Sequence, residues 1–186
     1  VPLGAARYDS ESETLAVPDF SQGDLAALGY FPDLVSLDAS GSDDYAALIA
    51  AEAEYPDVLI RWTCIAAGKT FSSADETIVC ATGTTLSDIA TLLTALPKLK
   101  TVDVRNTDVL AGDIATLQGE HPEVAFLTQA YLLGERYDTT KTSLQLAAAE
   151  SCVAKPIGAA LGLFASLTEL DLREVPAGER DISALS

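Results

Sequence analysis

The sequence of 186 residues is poor in the side chains that several kinds of site require. It has no methionine, one histidine (His121) and three cysteines, Cys64, Cys80 and Cys152, whose spacing does not suit a metal. A two-histidine metal site is excluded, and a Ser–His–Asp or Cys–His arrangement would need His121 itself. Three cysteines in a chain of this length also argue against a disulfide framework. We therefore predict no catalytic residue, no cofactor and no metal site.

Basic side chains are also scarce, with 11 Lys and Arg against 28 Asp and Glu, which gives a net charge of −17. Residues 1–60 hold 12 acidic side chains and a single base, Arg7. Nucleic-acid binding requires a basic patch, and so does adsorption on an anionic membrane, so we expect neither. No apolar run reaches the ~20 residues of a transmembrane helix, so we expect no membrane insertion.

The hydrophobic fraction, 48%, is sufficient for a buried core, and the length suits one domain spanning residues 1–186. Because there is no initiator methionine, we expect these residues to be a processed or excised piece. Cys64 and Cys80 occupy apolar repeat positions and are predicted to be buried thiols. Cys152 has no clear equivalent.

A five-residue pattern of the form Asp–apolar–small–x–Leu opens several Ala- and Leu-rich stretches. Its apolar residues at i and i+3 predict the first turn of an amphipathic helix, with Asp at or near the N-cap. The copies begin at Asp24, Asp44, Asp88, Asp113 and Asp181. The first four stretches run into a proline, which predicts the end of each helix there: Pro32, Pro56, Pro97 and Pro122.

Short apolar strand signals begin near positions 15, 34, 58, 78, 99, 124, 144 and 167. They are spaced by 19 to 25 residues, and three of them make a composite repeat of about 65 residues. A unit of this length cannot bury its own apolar face, so it must stack on its neighbours. The pattern therefore predicts a solenoid with a parallel sheet on one side.

Glycine–aromatic segments recur between some strands, at Gly4 to Tyr8, Gly68 to Phe71 and Gly134 to Tyr137. They lack helical periodicity, which predicts an extended or irregular return of the chain. The aromatics share one repeat position, so we interpret them as core residues.

Three segments carry a resemblance to a known family: Leu34-Val35-Ser36-Leu37-Asp38-Ala39, Leu99-Lys100-Thr101-Val102-Asp103-Val104 and Leu167-Thr168-Glu169-Leu170-Asp171-Leu172. They resemble the LxxLxL core of leucine-rich repeats. The resemblance implies an α/β leucine-rich-repeat-like solenoid, with parallel strands on one face and helices and irregular segments on the other.

The family's asparagine position falls on Ser42, Thr107 and Val175. The hydroxyls of Ser42 and Thr107 are expected to bond the backbone turn, which Val175 cannot do. Irregular composite repeats of this kind are similar to those of bacterial cell-surface leucine-rich-repeat proteins, which implies an extracellular or cell-surface location.

The exposed strand face is the predicted functional surface, because alternate residues of a strand point outward. Trp62 breaks the repeat, where Thr128 is its counterpart, and is a contact candidate or a core residue. The predicted binding face comprises Ser36, Asp38, Arg61, Trp62, Thr101, Asp103, Arg105, Gln129, Glu169, Asp171 and Arg173. The alternative is a solvated face without a ligand.

We thus predict a non-enzymatic module that binds a protein or peptide on this face. One alternative is a structural spacer in a surface protein. Another is a carboxylate-based hydrolase acting on polysaccharide, which requires two facing carboxyls. Neither end has a polar capping element, so we expect a fragment of a longer repeat array, or end-to-end self-association.

Overall fold

The computed structural model describes residues 1–147 and 158–174, and within them the fold is mixed α/β, with several small sheets and four α-helices. The α/β class is thus confirmed. The chain forms two compact units, of which unit 1 comprises residues 1–76 and 84–99, and unit 2 comprises 77–83 and 100–186. Cys152, Val175 and the motif copy at Asp181 lie outside the described residues.

The strands are short. In chain order they are β1 (Pro2–Leu3), β2 (Ala6–Arg7), β3 (Thr14–Ala16), β4 (Ser36–Asp38), β5 (Leu59–Arg61), β6 (Thr63–Ala66), β7 (Lys69–Ser72), β8 (Thr77–Val79), β9 (Thr101–Asp103), β10 (Ala125–Leu127), β11 (Gln129–Leu132), β12 (Glu135–Asp138), β13 (Ser143–Ala147) and β14 (Glu169–Glu174). The helices are α1 (Tyr45–Glu54), α2 (Leu86–Ala95), α3 (Ala111–Glu120) and α4 (Gly158–Leu161), and a 3-10 helix spans Leu25–Tyr30.

Parallel pairing links the strands that the repeat pattern predicts. Unit 1 contains the sheet β3-β4-β5, and unit 2 contains the sheets β10-β9-β8 and β13-β14. In unit 1 the central residues Leu15, Leu37 and Ile60 are in register and buried. All eight predicted strand positions are confirmed to within two residues.

The predicted helix ends are also confirmed. The 3-10 helix, α1, α2 and α3 have as C-caps Phe31, Tyr55, Leu96 and His121, each the residue before a proline. A residue that precedes proline is sterically disfavoured in the α region, so the helix stops there. The first copy differs from the predicted α-helix because it is a six-residue 3-10 helix.

The glycine–aromatic segments fold as antiparallel hairpins, β1–β2, β6–β7 and β11–β12, which confirms the extended return. In β6–β7 the two loop residues Ala67 and Gly68 have φ of 49° and 72°. Two positive φ values in a two-residue loop indicate a type I′ turn, whose twist matches the strands. Of the aromatics, Tyr8 packs against the unit 1 core and Tyr137 against a unit 2 core.

A repeated aspartate ties two of these hairpins to the helix that follows. Asp24 Oδ1 accepts the N–H of Gly4 at 2.7 Å, and its Oδ2 accepts from the N–H and Oγ of Ser21. Asp88 repeats this arrangement with Ala67 and with Thr85, the N-cap of α2. One carboxylate thus holds both a hairpin turn and a helix start.

Candidate functional site

In unit 1 the predicted face is exposed at Asp38 and Arg61, which are register partners on β4 and β5, while Ser36 is half-buried. Asp38 Oδ1 accepts the N–H of Ser40 at 2.9 Å. Hydrogen bonds from the Ser40 side chain and backbone, together with the charge of Arg61, lower the pKa of Asp38 although burial opposes them. This carboxylate is therefore ionised and closes a local turn.

Trp62 does not belong to the exposed face, which corrects its place in the predicted set. Its side chain is 1% exposed, and Nε1 donates to the Ala95 carbonyl oxygen, at the end of α2, at 2.8 Å. Trp62 follows the outward-pointing Arg61, so alternation directs its ring into the core. The alternative interpretation of Trp62 as a core residue is thus the correct one.

In unit 2 the predicted residues Asp103 and Arg105 bind each other rather than facing solvent freely. Asp103 is 8% exposed, and its Oδ1 and Oδ2 accept from Nε and Nη2 of Arg105 at 2.9 and 2.7 Å. Nη1 of Arg105 bonds to Asp138, at the end of β12. The expectation that Asp103 is exposed is therefore wrong, because an arginine and two carboxylates close over this strand end.

The pKa values around Arg105 follow from this pairing. The hydrogen bond from Arg105 lowers the pKa of Asp103 against the effect of burial. Burial raises the pKa of Asp138, but hydrogen bonds from Thr140 and Arg105 outweigh it and leave this pKa below its ordinary value. The carboxylates raise the pKa of Arg105. All three groups are therefore charged near neutral pH.

The third sheet carries Glu169, Asp171 and Arg173, of which Glu169 and Arg173 are exposed. Asp171 Oδ1 accepts from N and Nε of Arg173 at 3.0 and 2.9 Å. These hydrogen bonds lower the pKa of Asp171 to about 2. The Asp after each LxxL segment therefore accepts the N–H two residues later in all three copies: Asp38, Asp103 and Asp171.

This recurrence gives the three aspartates a structural role as turn acceptors. The predicted strand residues are distributed over four sheets, of which one belongs to unit 1 and three belong to unit 2. Thr101 and Gln129 are half-buried. The structure does bring two predicted residues together, because Arg105 and Gln129 line one cleft of unit 2.

That cleft has a volume of about 180 Å³ and lies between the segment 104–111 and the hairpin β11–β12. Leu110 and Tyr131 line it, and their side chains are 70% and 66% exposed. A second cavity, of about 350 Å³, shares Ala111, Thr128 and Leu163 with it and extends along α3. We call this combined feature the unit 2 groove.

Leu110 is a functional candidate that the sequence interpretation missed. It is the N-cap of α3 and makes no side-chain cap hydrogen bond. The N-caps of α1 and α2 are Asp44 and Thr85, which accept from the backbone at 3.1 and 3.2 Å. Each of the three N-caps lies twelve residues before the proline that ends its helix, so aligning the repeats on the prolines would have revealed the exposed leucine.

The remaining chemically reactive side chains have ordinary structural surroundings. Cys64 and Cys80 are buried, as predicted, and burial raises the pKa of the Cys64 thiol. Ring Nδ1 of His121 lies 3.4 Å from Glu123 Oε1. The hydroxyls of Ser42 and Thr107 bond backbone carbonyls at 2.6 and 2.8 Å, which confirms the expectation for these two positions.

Within residues 1–147 and 158–174, no group of three or more His, Cys, Asp or Glu side chains is arranged to hold a metal ion. In the same residues, no helix has the length and apolar composition needed to cross a membrane. Comparison of the chain with models of known families, with curated protein sequences and with solved structures found no match.

Proposed function

We propose that this protein is a non-enzymatic protein- or peptide-binding module, built as a leucine-rich-repeat-like solenoid, and that its ligand occupies the unit 2 groove. The observation that carries the proposal is Leu110, an exposed leucine at an N-cap that its sister helices fill with a hydrogen-bonding side chain. We therefore assign the binding site to this groove rather than to the strand face as a whole.

The energetics support a functional role for Leu110. An N-cap without a polar side chain lowers stability by about 0.5–2 kcal/mol. An exposed leucine adds an apolar surface that folding alone does not require. Departures of this kind from local rules concentrate at functional sites.

The composition of the groove supports a protein or peptide ligand. It combines exposed Tyr131 and Leu110 with Arg105 and Arg136 at its edge. Tyrosine and arginine are enriched in protein interfaces, where they supply much of the binding energy around an apolar centre. The two cavities, of about 180 and 350 Å³, also offer more space than a single side chain would need.

The repeat spacing and the parallel strands support the solenoid and the single-domain assignment to residues 1–186. The resemblance to surface leucine-rich-repeat proteins supports an extracellular or cell-surface location. The proposal therefore includes the solenoid, the single domain of residues 1–186 and the extracellular or cell-surface location.

A structural spacer is the second candidate, and one observation favours it. Asp38, Asp103 and Asp171 are used as acceptors by their own turns, which is what stacking alone would require. A spacer, however, has no need of the exposed Leu110 and Tyr131.

The carboxylate-based hydrolase has less support. A general acid requires a carboxyl with a raised pKa. At the carboxylates joined by Arg105, Asp103 and Asp138, both pKa values are lowered.

The binding proposal is tested by selecting peptides from a random 12-residue display library on the wild-type protein. Dissociation constants for the selected peptides are then measured by fluorescence polarisation for wild type, Leu110→Asp and Tyr131→Ala. We expect at least tenfold weaker binding for both variants, because each removes an apolar contact in the groove.

Ile65→Ala is the matched control. Ile65 is 69% exposed and occupies in β6 the position of Tyr131 in β11, and this variant should bind as wild type does. Two outcomes would contradict a binding function of the groove. One is that the selection enriches no peptide beyond a control selection without the protein, and the other is that all variants bind equally.

A further inference from the structure

The hairpin β11–β12 meets the unit 2 groove through the edge of β11. Gln129, Ala130 and Tyr131 are consecutive residues, and all three line the cleft. Side chains of a strand alternate between its two faces, so three consecutive residues border one cavity only if the cavity lies along the strand edge. The main chain of β11 is therefore adjacent to the cavity.

The main-chain groups at this edge follow from the register of the hairpin. Its loop has two residues, Leu133 and Gly134, so the flanking residues Leu132 and Glu135 form a hydrogen-bonded pair. Bonded pairs then alternate, and the next is Ala130 with Tyr137. The bond from Thr139 N to Thr128 O, at 3.0 Å, continues the same alternation.

It follows that the N–H and C=O groups of Gln129 and Tyr131 point away from β12, towards the groove. An outward row of donors and acceptors on a strand edge is a template for an added strand. Peptide recognition by strand addition uses such an edge for main-chain bonds and uses neighbouring pockets for alternate side chains.

Arg136 defines the charge of the ligand. It is the register partner of Tyr131, and its side chain is 52% exposed. Its ion-pair contact with Asp108 is loose, at 3.5 Å, and the Asp108 side chain is 80% exposed. Arg105, by contrast, is held by two carboxylates. Although the chain as a whole has a net charge of −17, the Arg136 guanidinium in the groove is therefore accessible to a ligand carboxylate.

We propose that the ligand is an acidic, apolar peptide segment that binds as an extended strand added to the edge of β11. Its main chain pairs with Gln129 and Tyr131, a carboxylate side chain binds Arg136, and an apolar side chain packs against Leu110 and Tyr131. This inference rests on the proposed binding function and specifies the conformation and chemistry of its ligand.

The first test leaves the protein unchanged. The tightest 12-residue peptide selected on wild-type protein is resynthesised as a series with one N-methylated residue at each position. N-methylation removes the N–H, so positions whose N–H donates to β11 should lose binding at least tenfold, and the alternate positions should retain it. Loss at two positions that are two residues apart, with binding retained at the position between them, supports strand addition, whereas loss without this spacing contradicts it.

The second test exchanges the charges. Arg136→Glu should bind the selected acidic peptide at least tenfold more weakly and should regain affinity for the same peptide with its carboxylate residue replaced by Lys. Arg7→Glu is the matched control, because Arg7 holds the corresponding position in the hairpin β1–β2. Equal effects of the two variants, or no rescue by the Lys peptide, would overturn the assignment of Arg136.

The two proposals fail separately. If Leu110→Asp abolishes binding but the N-methyl series shows no alternation and the charge exchange gives no rescue, the groove is a binding site and strand addition is wrong. If Leu110→Asp and Tyr131→Ala leave binding unchanged, the proposed function itself is wrong, and strand addition at this edge is wrong with it.

Discussion

At the scale of single residues, the predicted binding face contains side chains that are already committed to intramolecular bonds. The sequence predicts an exposed Arg105 after the strand β9. In the structure Arg105 bonds to Asp103 and to Asp138, and Asp138 is 33 residues further along the chain. The outward direction of a strand side chain can be predicted from strand alternation. A hydrogen-bond partner 33 residues away cannot be predicted in this way, because it depends on where the hairpin β11–β12 returns in space.

Asp103 makes the stability of the protein dependent on pH. Its folded-state pKa is lowered, so its pairing stabilises the fold above the ordinary value of 3.8 and is lost as pH falls through the folded-state pKa. We expect Asp103→Asn to lower the free energy of unfolding by about 1–3 kcal/mol near neutral pH. Urea unfolding of both proteins between acidic and neutral pH measures this difference. It should shrink as the pH falls, and a difference independent of pH would contradict the ion-pair interpretation.

Trp62 is predicted to stabilise the end of α2 through its indole N–H. Trp62→Phe removes the donor to the Ala95 carbonyl and leaves that acceptor buried in a helix end. We expect a loss of about 1–3 kcal/mol in the free energy of unfolding, measured by urea denaturation. Lys98→Ala is a suitable comparison, since it removes an exposed ion pair with Glu52 and should change stability by less than about 1 kcal/mol.

At the scale of secondary-structure elements, helix ends could be predicted and helix starts only in part. Proline acts locally on the preceding residue, which is why all four stops are found where the sequence places them. The starts vary, since the motif residue Asp44 is the N-cap of α1 itself, whereas Asp88 is three residues after the cap Thr85. Alignment of the repeats on the motif aspartate therefore gives no constant N-cap position. Alignment on the proline gives one, and it identifies Leu110 as the N-cap of α3.

Restoring the missing cap should stabilise α3. Leu110→Asp provides an acceptor for the free N–H groups of the first turn and is expected to raise the free energy of unfolding by about 0.5–2 kcal/mol. Thermal or urea denaturation measures the change. Asp44→Ala, which removes the cap of α1, should lower stability by a similar amount. Unchanged or reduced stability of Leu110→Asp would show that Leu110 packs usefully in the fold.

The type I′ turn of β6–β7 provides a test of hairpin geometry. Ala67 has φ of 49°, a left-handed conformation that disfavours a Cβ but suits asparagine. We expect Ala67→Asn to raise the free energy of unfolding by about 0.5–1 kcal/mol, measured by urea denaturation. Gly68→Ala, at φ of 72°, should instead be destabilising. If both substitutions have the same sign, the turn assignment is wrong.

At the scale of the whole molecule, the charge of −17 should oppose the compact state through self-repulsion. Sodium chloride screens that repulsion over about 10 Å at 0.1 M and less at higher concentration. The urea midpoint is therefore expected to rise between about 0.01 and 0.5 M NaCl. A falling midpoint would mean that attractive ion pairs, such as those of Arg105, outweigh the repulsion.

The sequence predicts the positions of the eight parallel strands better than their pairing. The apolar pattern depends on the local sequence and indicates which residues face inward, as at Leu37 and Val102. The pattern contains no information on where the hydrogen-bonded pairing of strands is interrupted. In the described residues the parallel strands pair as three sheets rather than one. The groove was missed for the same reason, since it is bordered by segments that are separate in sequence.

The double use of Asp24 and Asp88 has a consequence for how a chain with this sequence repeat can change in length. Each carboxylate and the hairpin turn that it holds lie within about twenty residues of each other in the chain. Duplication or deletion of a whole composite repeat therefore copies or removes both ends of the bond together. The chain can therefore gain or lose a whole composite repeat and keep each hairpin bonded to its aspartate, whereas an insertion between Gly4 and Asp24, or between Ala67 and Asp88, would separate the two bonded groups.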